Sequence, residues 1–306
     1  MTTKIYWLEA ITPLHVGTGR GVGFIDLPII REKVTGWPLV PGSSVKGVIR
    51  DYFDQEKSKK TDEEKKAFEK LIDAAFGKPD DDKGNANSGS LVFTDARIVC
   101  LPIRSLYGTF AYIASRLVLE RLKRDLIDAG YKDIPEVPEA SETEVLLAQE
   151  SKLAADGKVF FEDLDFTARK DNDLVQKWAG LLARAVFSGD LKWQGIFQER
   201  FAVVSDNSFN FLSETGTEVA AHIRIKAETK TVDDGALWYE EALPVETILA
   251  GIAWCDRVYG CNGSDQKTLV EKMMSTFCAG DSALELQIGG KATVGKGRAR
   301  CQFTRG

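Results

Sequence analysis

Apolar and polar positions along Lys4–Ile11 predict a strand, after which residues 12–42 hold too many Gly and Pro residues for a regular element. That stretch reads as a long ordered loop or a pair of short hairpins. From Ser44 onward Val45, Val48, Ile49, Tyr52 and Phe53 recur at i, i+3, i+4, i+7 and i+8, which predicts a helix capped by Ser43 or Ser44. Lys46 and Arg50 share its other face. Residues 54–90 read as an insertion, a mixed-charge helix followed by a polar loop. A strand is predicted over 89–103, then a long helix from Ser105 to Ala129 with Phe110, Ile113, Ala114, Leu117, Leu122 and Leu126 inward. Loop with one short strand follows over 130–158, and a helix over 173–188 with Leu174, Trp178, Leu181, Leu182 and Ala185 as its apolar stripe.

The segment 200–243 reads as strands and a hairpin spanning about 222–243, with Asp234-Gly235 as its turn signal. A strand over 246–258, a helix over Lys267–Phe277 and a strand over Ala283–Ile288 come next. The last strand alternates Arg298, Arg300 and Gln302 with Ala299, Cys301 and Phe303, one polar face and one buried. Strand–helix–strand units at both ends predict an α+β fold, a ferredoxin/RRM-like palm with one helical side and helical or loop insertions, in a single domain over 1–306.

With 43% hydrophobic and 28% charged residues in 306, the chain has the composition of an ordinary globular protein. It has no apolar run near the ~18 residues a bilayer requires and no signal-like start, so a cytoplasmic protein is expected, with no membrane partner. The five cysteines, Cys100, Cys255, Cys261, Cys278 and Cys301, show no metal or disulfide spacing and read as small core residues. Only two histidines are present, which excludes a histidine-rich metal site and leaves a hard, oxygen-bound ion. Net charge of −6 argues against nucleic-acid binding by bulk charge. Basic residues nevertheless gather locally: Arg20, Arg31, Lys46 and Arg50 near the start, Lys291, Lys296, Arg298, Arg300 and Arg305 near the end.

Those clusters coincide with glycine loops. Around one buried-looking acid, Asp26, lie His15–Glu32 and Gly36–Phe53, and the turn Gly42-Ser43-Ser44 opens the helix that carries Lys46 and Arg50. Amides at a helix start attract phosphate, and glycines permit close approach. The closing loop places Gly289, Gly290, Gly295 and Gly297 among Lys291 and Lys296. A strand follows it where a dinucleotide-binding or P-loop site needs a helix, so both are excluded. A bulged hairpin is the ordinary reading, and the lysines suit a sugar-phosphate backbone. Asp26 alone fits an Asx-turn as well as a catalytic carboxylate. His15 fits a general acid/base or a residue that orders the loop. Trp37, Trp193 and Trp238 receive no role.

PLHVGTG (Pro13–Gly19), IDLPIIRE (Ile25–Glu32), PLVPGSSVKGVIR (Pro38–Arg50), VCLPIRSLYGTFAY (Val99–Tyr112), TKTVDDGALWYEEALP (Thr229–Pro244) and IGGKATVGKGR (Ile288–Arg298), in one order, resemble the RAMP superfamily of CRISPR proteins. Within it they are similar to the Cmr-type backbone subunits of type III-B effector complexes. The resemblance implies an RRM-like palm, the hairpin as a thumb, and copies stacked as a helical filament on CRISPR RNA beside other Cmr-type subunits. It also implies cleavage of paired target RNA at regular intervals, at Asp26, with a weakly held divalent metal (Mg2+ or Mn2+) and the 2′-hydroxyl as nucleophile. Tyr239, Glu240 and Glu241 fall where the family carries aromatic and acidic residues; they fit either solvated hairpin charges, the simpler reading, or the completion of a neighbouring subunit's site, and Glu241 joins Asp26 and His15 as a catalytic candidate. Gly42, Ser43, Ser44, Lys46, Arg50, Gly289, Gly290, Lys291 and Lys296 are the expected RNA-backbone contacts. A non-catalytic filament subunit, the type III-A equivalent, and a stand-alone RNA-processing nuclease using His15 are the alternatives.

Overall fold

Strand β1 (Thr2–Ala10) lies at the heart of the core because its apolar residues point both ways: Ile5 and Trp7 on one face, Tyr6 and Leu8 on the other, are all buried. Both faces of this strand are covered. The computed structural model describes residues 2–306 other than Arg20, Val22, Phe24, 79–85, Asp171, Ala227, 260–264 and Asp281, so the assignments made for Arg20 and Cys261 lie outside the described residues.

From β1 a long loop reaches β2 (Leu39–Val40) and α1 (Gly42–Lys57), followed by α2 (Asp62–Phe76), β3 (Gly77–Lys78), β4 (Asn87–Ser88) and β5 (Val92–Phe93). β6 (Ala96–Arg104) and β7 (Phe110–Ser115) pair as a hairpin before α3 (Arg116–Asp128), β8 (Glu144–Leu147), β9 (Lys158–Phe161) and β10 (Leu164–Arg169). α4 (Asp173–Val186), α5 (Leu191–Gln198), β11 (Phe201–Val204) and α6 (Asp206–Thr215) lead to a two-stranded ribbon, β12 (Glu218–Ile225) with β13 (Val232–Ala242). β14 (Ile248–Cys255), α7 (Gln266–Phe277), β15 (Leu284–Gln287) and β16 (Arg298–Thr304) complete the chain.

The main sheet runs β15-β16-β1-β14-β6-β7-β11-β8-β10-β9. Within it β16, β1, β14 and β6 are antiparallel neighbours, with α1 in the connection from β1 to β6 and α7 in that from β14 to β16. That is the ferredoxin-like βαββαβ unit expected from the sequence. Cys100, Cys255, Cys278 and Cys301 are buried and unpaired.

Three local expectations are corrected. The helix placed over Ser105–Ala129 begins only at Arg116: residues 110–115 are a strand buried between β6 and β11, and Leu117 is exposed. A strand covered on both faces loses its alternation and mimics a buried helix turn, and the chain reversal before it rests on Gly108 and Thr109, both at positive φ. The hairpin does not turn at Asp234-Gly235, which lies inside β13; it turns over 226–231, where the Lys226 N–H donates to the Thr231 carbonyl at 2.8 Å. Helix α1 starts at Gly42 after Pro41, with no side-chain cap from Ser43 or Ser44. The Gly42 N–H instead donates to the Asp95 carboxylate at 2.8 Å.

Candidate nucleic-acid interface and cleavage site

Four segments distant in sequence meet at the base of the ribbon. Leu14 and Leu243 exchange backbone hydrogen bonds at 2.9 Å, Ile30 N–H donates to Val16 O at 2.8 Å, and Leu27 is laced to β13 through Tyr239 O at 3.1 Å and Glu241 N at 3.0 Å. The closing glycine loop joins through Gly290 N–H to His15 O and Gly297 N–H to Pro13 O, each 2.9 Å. Glycine is required here for packing: at Gly289, with φ +80°, a Cβ would stand 2.3 Å from the His15 carbonyl oxygen. The opening and closing glycine loops, from opposite ends of the chain, therefore form one structure, built around His15.

Asp26, Glu240 and Glu241 stand at this junction in different states, and exposed Glu218 opens β12 opposite Ala242. Asp26 is exposed, contrary to the buried position expected of it; its Oδ2 accepts the Tyr239 backbone N–H at 2.8 Å. Glu240 and Glu241 are neighbours on β13 and so point to opposite faces of the ribbon. Glu240 is 2% exposed and accepts Lys291 Nζ at 2.6 Å and Trp238 Nε1 at 2.8 Å, with Lys296 Nζ at 3.6 Å and His222 Nε2 at 3.4 Å from its other oxygen. Burial alone pushes this carboxyl up, but the Lys291 and Trp238 hydrogen bonds and the surrounding positive charge prevail and hold it at about 2. Glu241, 3% exposed, accepts Arg31 Nη2 at 2.6 Å, Thr217 Oγ1 at 2.9 Å and Ile29 N–H at 3.0 Å.

His15 is 7% exposed, with Nδ1 2.7 Å from the Glu241 carbonyl oxygen. A carbonyl only accepts, so Nδ1 carries a proton, and Nε2 lies on the side of Gly17. The nominated backbone-binding cations are engaged within the chain. Lys46 Nζ donates to Leu91 O at 2.7 Å, and burial lowers its pKa. Arg50 donates to Gly77 O at 2.8 Å and lies 3.6 Å from both Asp54 and Asp73, on the side of the 54–90 insertion. Ser43 is exposed at the start of α1, beside the Gly42 N–H that Asp95 already occupies.

Asp26, His15, Glu241, Gly289, Gly290 and Lys291, nominated separately from the sequence, meet at one place, and Lys46 and Arg50 share α1 as expected, but nothing in the sequence marked their pairing partners. Asp95 and Thr217 were missed, since a single polar residue before a strand carries no periodic signal. The Glu240 pairing had one: Trp238 and Glu240 are two apart on a strand and necessarily share a face. Among the described residues no group of three or more His, Cys, Asp or Glu is placed to hold a metal, and no helix is long and apolar enough to cross a membrane. The fit for a divalent ion is therefore to one carboxylate: Asp26 Oδ1 has no partner among the described residues and faces solvent.

The sequence model of the RAMP superfamily matches residues 7–300. The CRISPR system Cmr endoribonuclease Cmr4 of Pyrococcus furiosus is 35% identical over 298 residues, covering 97% of this chain and 94% of that protein. The crystal structure of oligomeric Cmr4 from Pyrococcus furiosus superposes with a TM-score of 0.74 at 28% identity, covering 100% of this chain and 99% of that one. A chain of the type III-B Cmr-beta complex bound to cognate target RNA has the same fold, with a TM-score of 0.72 at 18% identity over 99% and 97% of the two chains.

Proposed function

Because the chain belongs to the RAMP superfamily and, within it, to the Cmr4 family, we propose that it is the backbone subunit of a type III-B CRISPR effector, oligomerising along CRISPR RNA and cutting complementary target RNA at Asp26. The observation that carries the assignment to Asp26 is its exposure. Of Asp26, Glu240 and Glu241, the two glutamates are buried and bonded to cations, while Asp26 faces solvent.

The ribbon β12–β13 is the thumb of this reading, and it seats Asp26 at its own base through Tyr239. Target RNA bent at the ribbon brings one phosphodiester to the Asp26 carboxylate. Attack by the adjacent 2′-oxygen forms a 2′,3′-cyclic phosphate as the bond to the 5′-oxygen breaks, and the proton lost by the 2′-hydroxyl is balanced by one gained by the 5′-oxygen. Asp26 would hold a divalent ion, which would supply positive charge against the charge that builds on the phosphorus oxygens. Burial of His15 beneath the loop suits it to hold the glycine loops in shape. Guide-backbone contacts then fall to Ser43, Ser44 and the half-buried Lys46, whereas Arg50, committed to Asp54 and Asp73, supports the insertion.

The test is a complex reconstituted with guide RNA, a labelled complementary target, and wild-type or Asp26→Asn chain, with magnesium, manganese or chelator. Evenly spaced products that vanish in the variant and in chelator are expected. Unchanged cutting by the variant would leave the chain as a non-catalytic filament subunit.

A further inference from the structure

Glu241 has both carboxylate oxygens bonded, and two of its three side-chain partners, Ile29 and Arg31, lie on the segment that carries Asp26. We infer that Glu241 is a positioning residue, which touches no RNA and fixes the Asp26 segment against the ribbon; this rests on the Asp26 reading above. Its backbone N–H donates to Leu27 O at 3.0 Å, its Oε2 accepts Ile29 N–H at 3.0 Å, and its Oε1 accepts Arg31 Nη2 at 2.6 Å. Residues 27, 29 and 31 are thus caught in turn by one residue of β13, directly after Asp26. Its own carbonyl accepts His15 Nδ1 at 2.7 Å, and Thr217, which precedes β12, donates to Oε1 at 2.9 Å.

The anchor is rigid because Arg31 is itself tied down, donating to Gly36 O at 2.9 Å and to Ser213 O of α6 at 3.1 Å. With Glu241 3% exposed, no side-chain motion short of breaking this network brings its carboxylate to a phosphate. Glutamine at this position offers one acceptor oxygen and one N–H2, so either Ile29 N–H or Arg31 is left facing a donor. The Asp26 segment then loses its register while the ribbon and palm keep theirs.

The test uses the reconstituted complex with guide RNA and labelled target under single-turnover, saturating conditions, comparing wild type, Glu241→Gln, Thr217→Val and Asp26→Asn. Displacement of a catalytic group by about 1 Å costs on the order of 100-fold, so Glu241→Gln is expected to slow cleavage by roughly 10- to 100-fold with target affinity unchanged. Thr217→Val removes one of the three side-chain bonds and is expected to slow cleavage about threefold; it decides the matter if Glu241→Gln does not assemble. Cleavage per assembled complex equal to wild type, or affinity falling in step with rate, overturns the inference. Full cutting by Asp26→Asn overturns the Asp26 reading and the inference with it. Loss in Asp26→Asn beside wild-type rates in the other two overturns the inference alone.

Discussion

The Asp26 carboxylate is oriented by the main chain of Tyr239, whose N–H lies 2.8 Å from Oδ2, and by no side chain among the described residues. A carboxamide oxygen accepts the same bond, so Asp26→Asn preserves the geometry and removes only charge. Its unfolding free energy is expected within about 0.5 kcal/mol of wild type, while cleavage falls at least ~100-fold. Asp26→Ala, which abandons the Tyr239 N–H, is expected to melt lower than Asp26→Asn. Paired thermal melts and cleavage assays check the separation.

Glu240 makes the fold acid-sensitive in a defined direction. Its folded carboxyl is held at about 2 against an ordinary 4.5, so the folded chain stays ionised where the unfolded chain takes up a proton. The stabilisation is present above about 4.5 and is lost as pH falls towards 2. At about 1.4 kcal/mol per pH unit it amounts to about 3.5 kcal/mol at most. Glu32, held at about 2 chiefly by its Arg121 hydrogen bond, acts in the same window. Urea midpoints from pH 6 to 3 should fall less steeply for Glu240→Gln than for wild type; parallel curves would remove Glu240 from the account.

Glu9 works in the opposite sense. Burial pushes its carboxyl up to about 7, against the opposing pull of Arg300 at 3.0 Å and with the help of Glu246. A folded value above the unfolded one gives stability that is full below about 4.5 and lost as pH rises through 7. Glu9→Gln should flatten stability between pH 5 and 8, measured by denaturant midpoints, where the wild type declines.

Two glycines of the closing loop separate packing from backbone strain. Gly295 has φ +82° and open space, with nothing within 4 Å of where a Cβ would stand, so Gly295→Ala should cost about 1 kcal/mol from the left-handed backbone alone. Gly289→Ala adds collision with the His15 carbonyl and should cost well beyond that, about 3 kcal/mol or more. Equal melting temperatures for the two variants would show that the loops do not rely on this contact.

The palm was legible because its elements are long and patterned: β1, α1, α7 and β16 each carry a periodic signal, and their order alone implies the ferredoxin-like unit. Residues 110–115 misled because a strand buried on both faces has no alternation to read. Asp234-Gly235 has turn chemistry yet sits within β13, where Gly235 at φ +72° is absorbed in the strand rather than reversing it. At the site, residue types pointed to the right neighbourhood but not to its electrostatics. Lys291 and Lys296 read as phosphate ligands, and only their convergence on Glu240, 51 residues from Lys291 in sequence, shows that they share a buried acidic partner.

That convergence bears on how tightly a single copy can hold RNA. Two loop lysines share one buried glutamate, and Arg50 and Arg31 have acidic partners of their own. Each of these four cations then grips a phosphate chain less strongly than an unpaired one would. On the proposed function, tenacity on the guide comes from avidity: many weak, identical grips in a row, so that holding strength grows steeply with the length of RNA occupied.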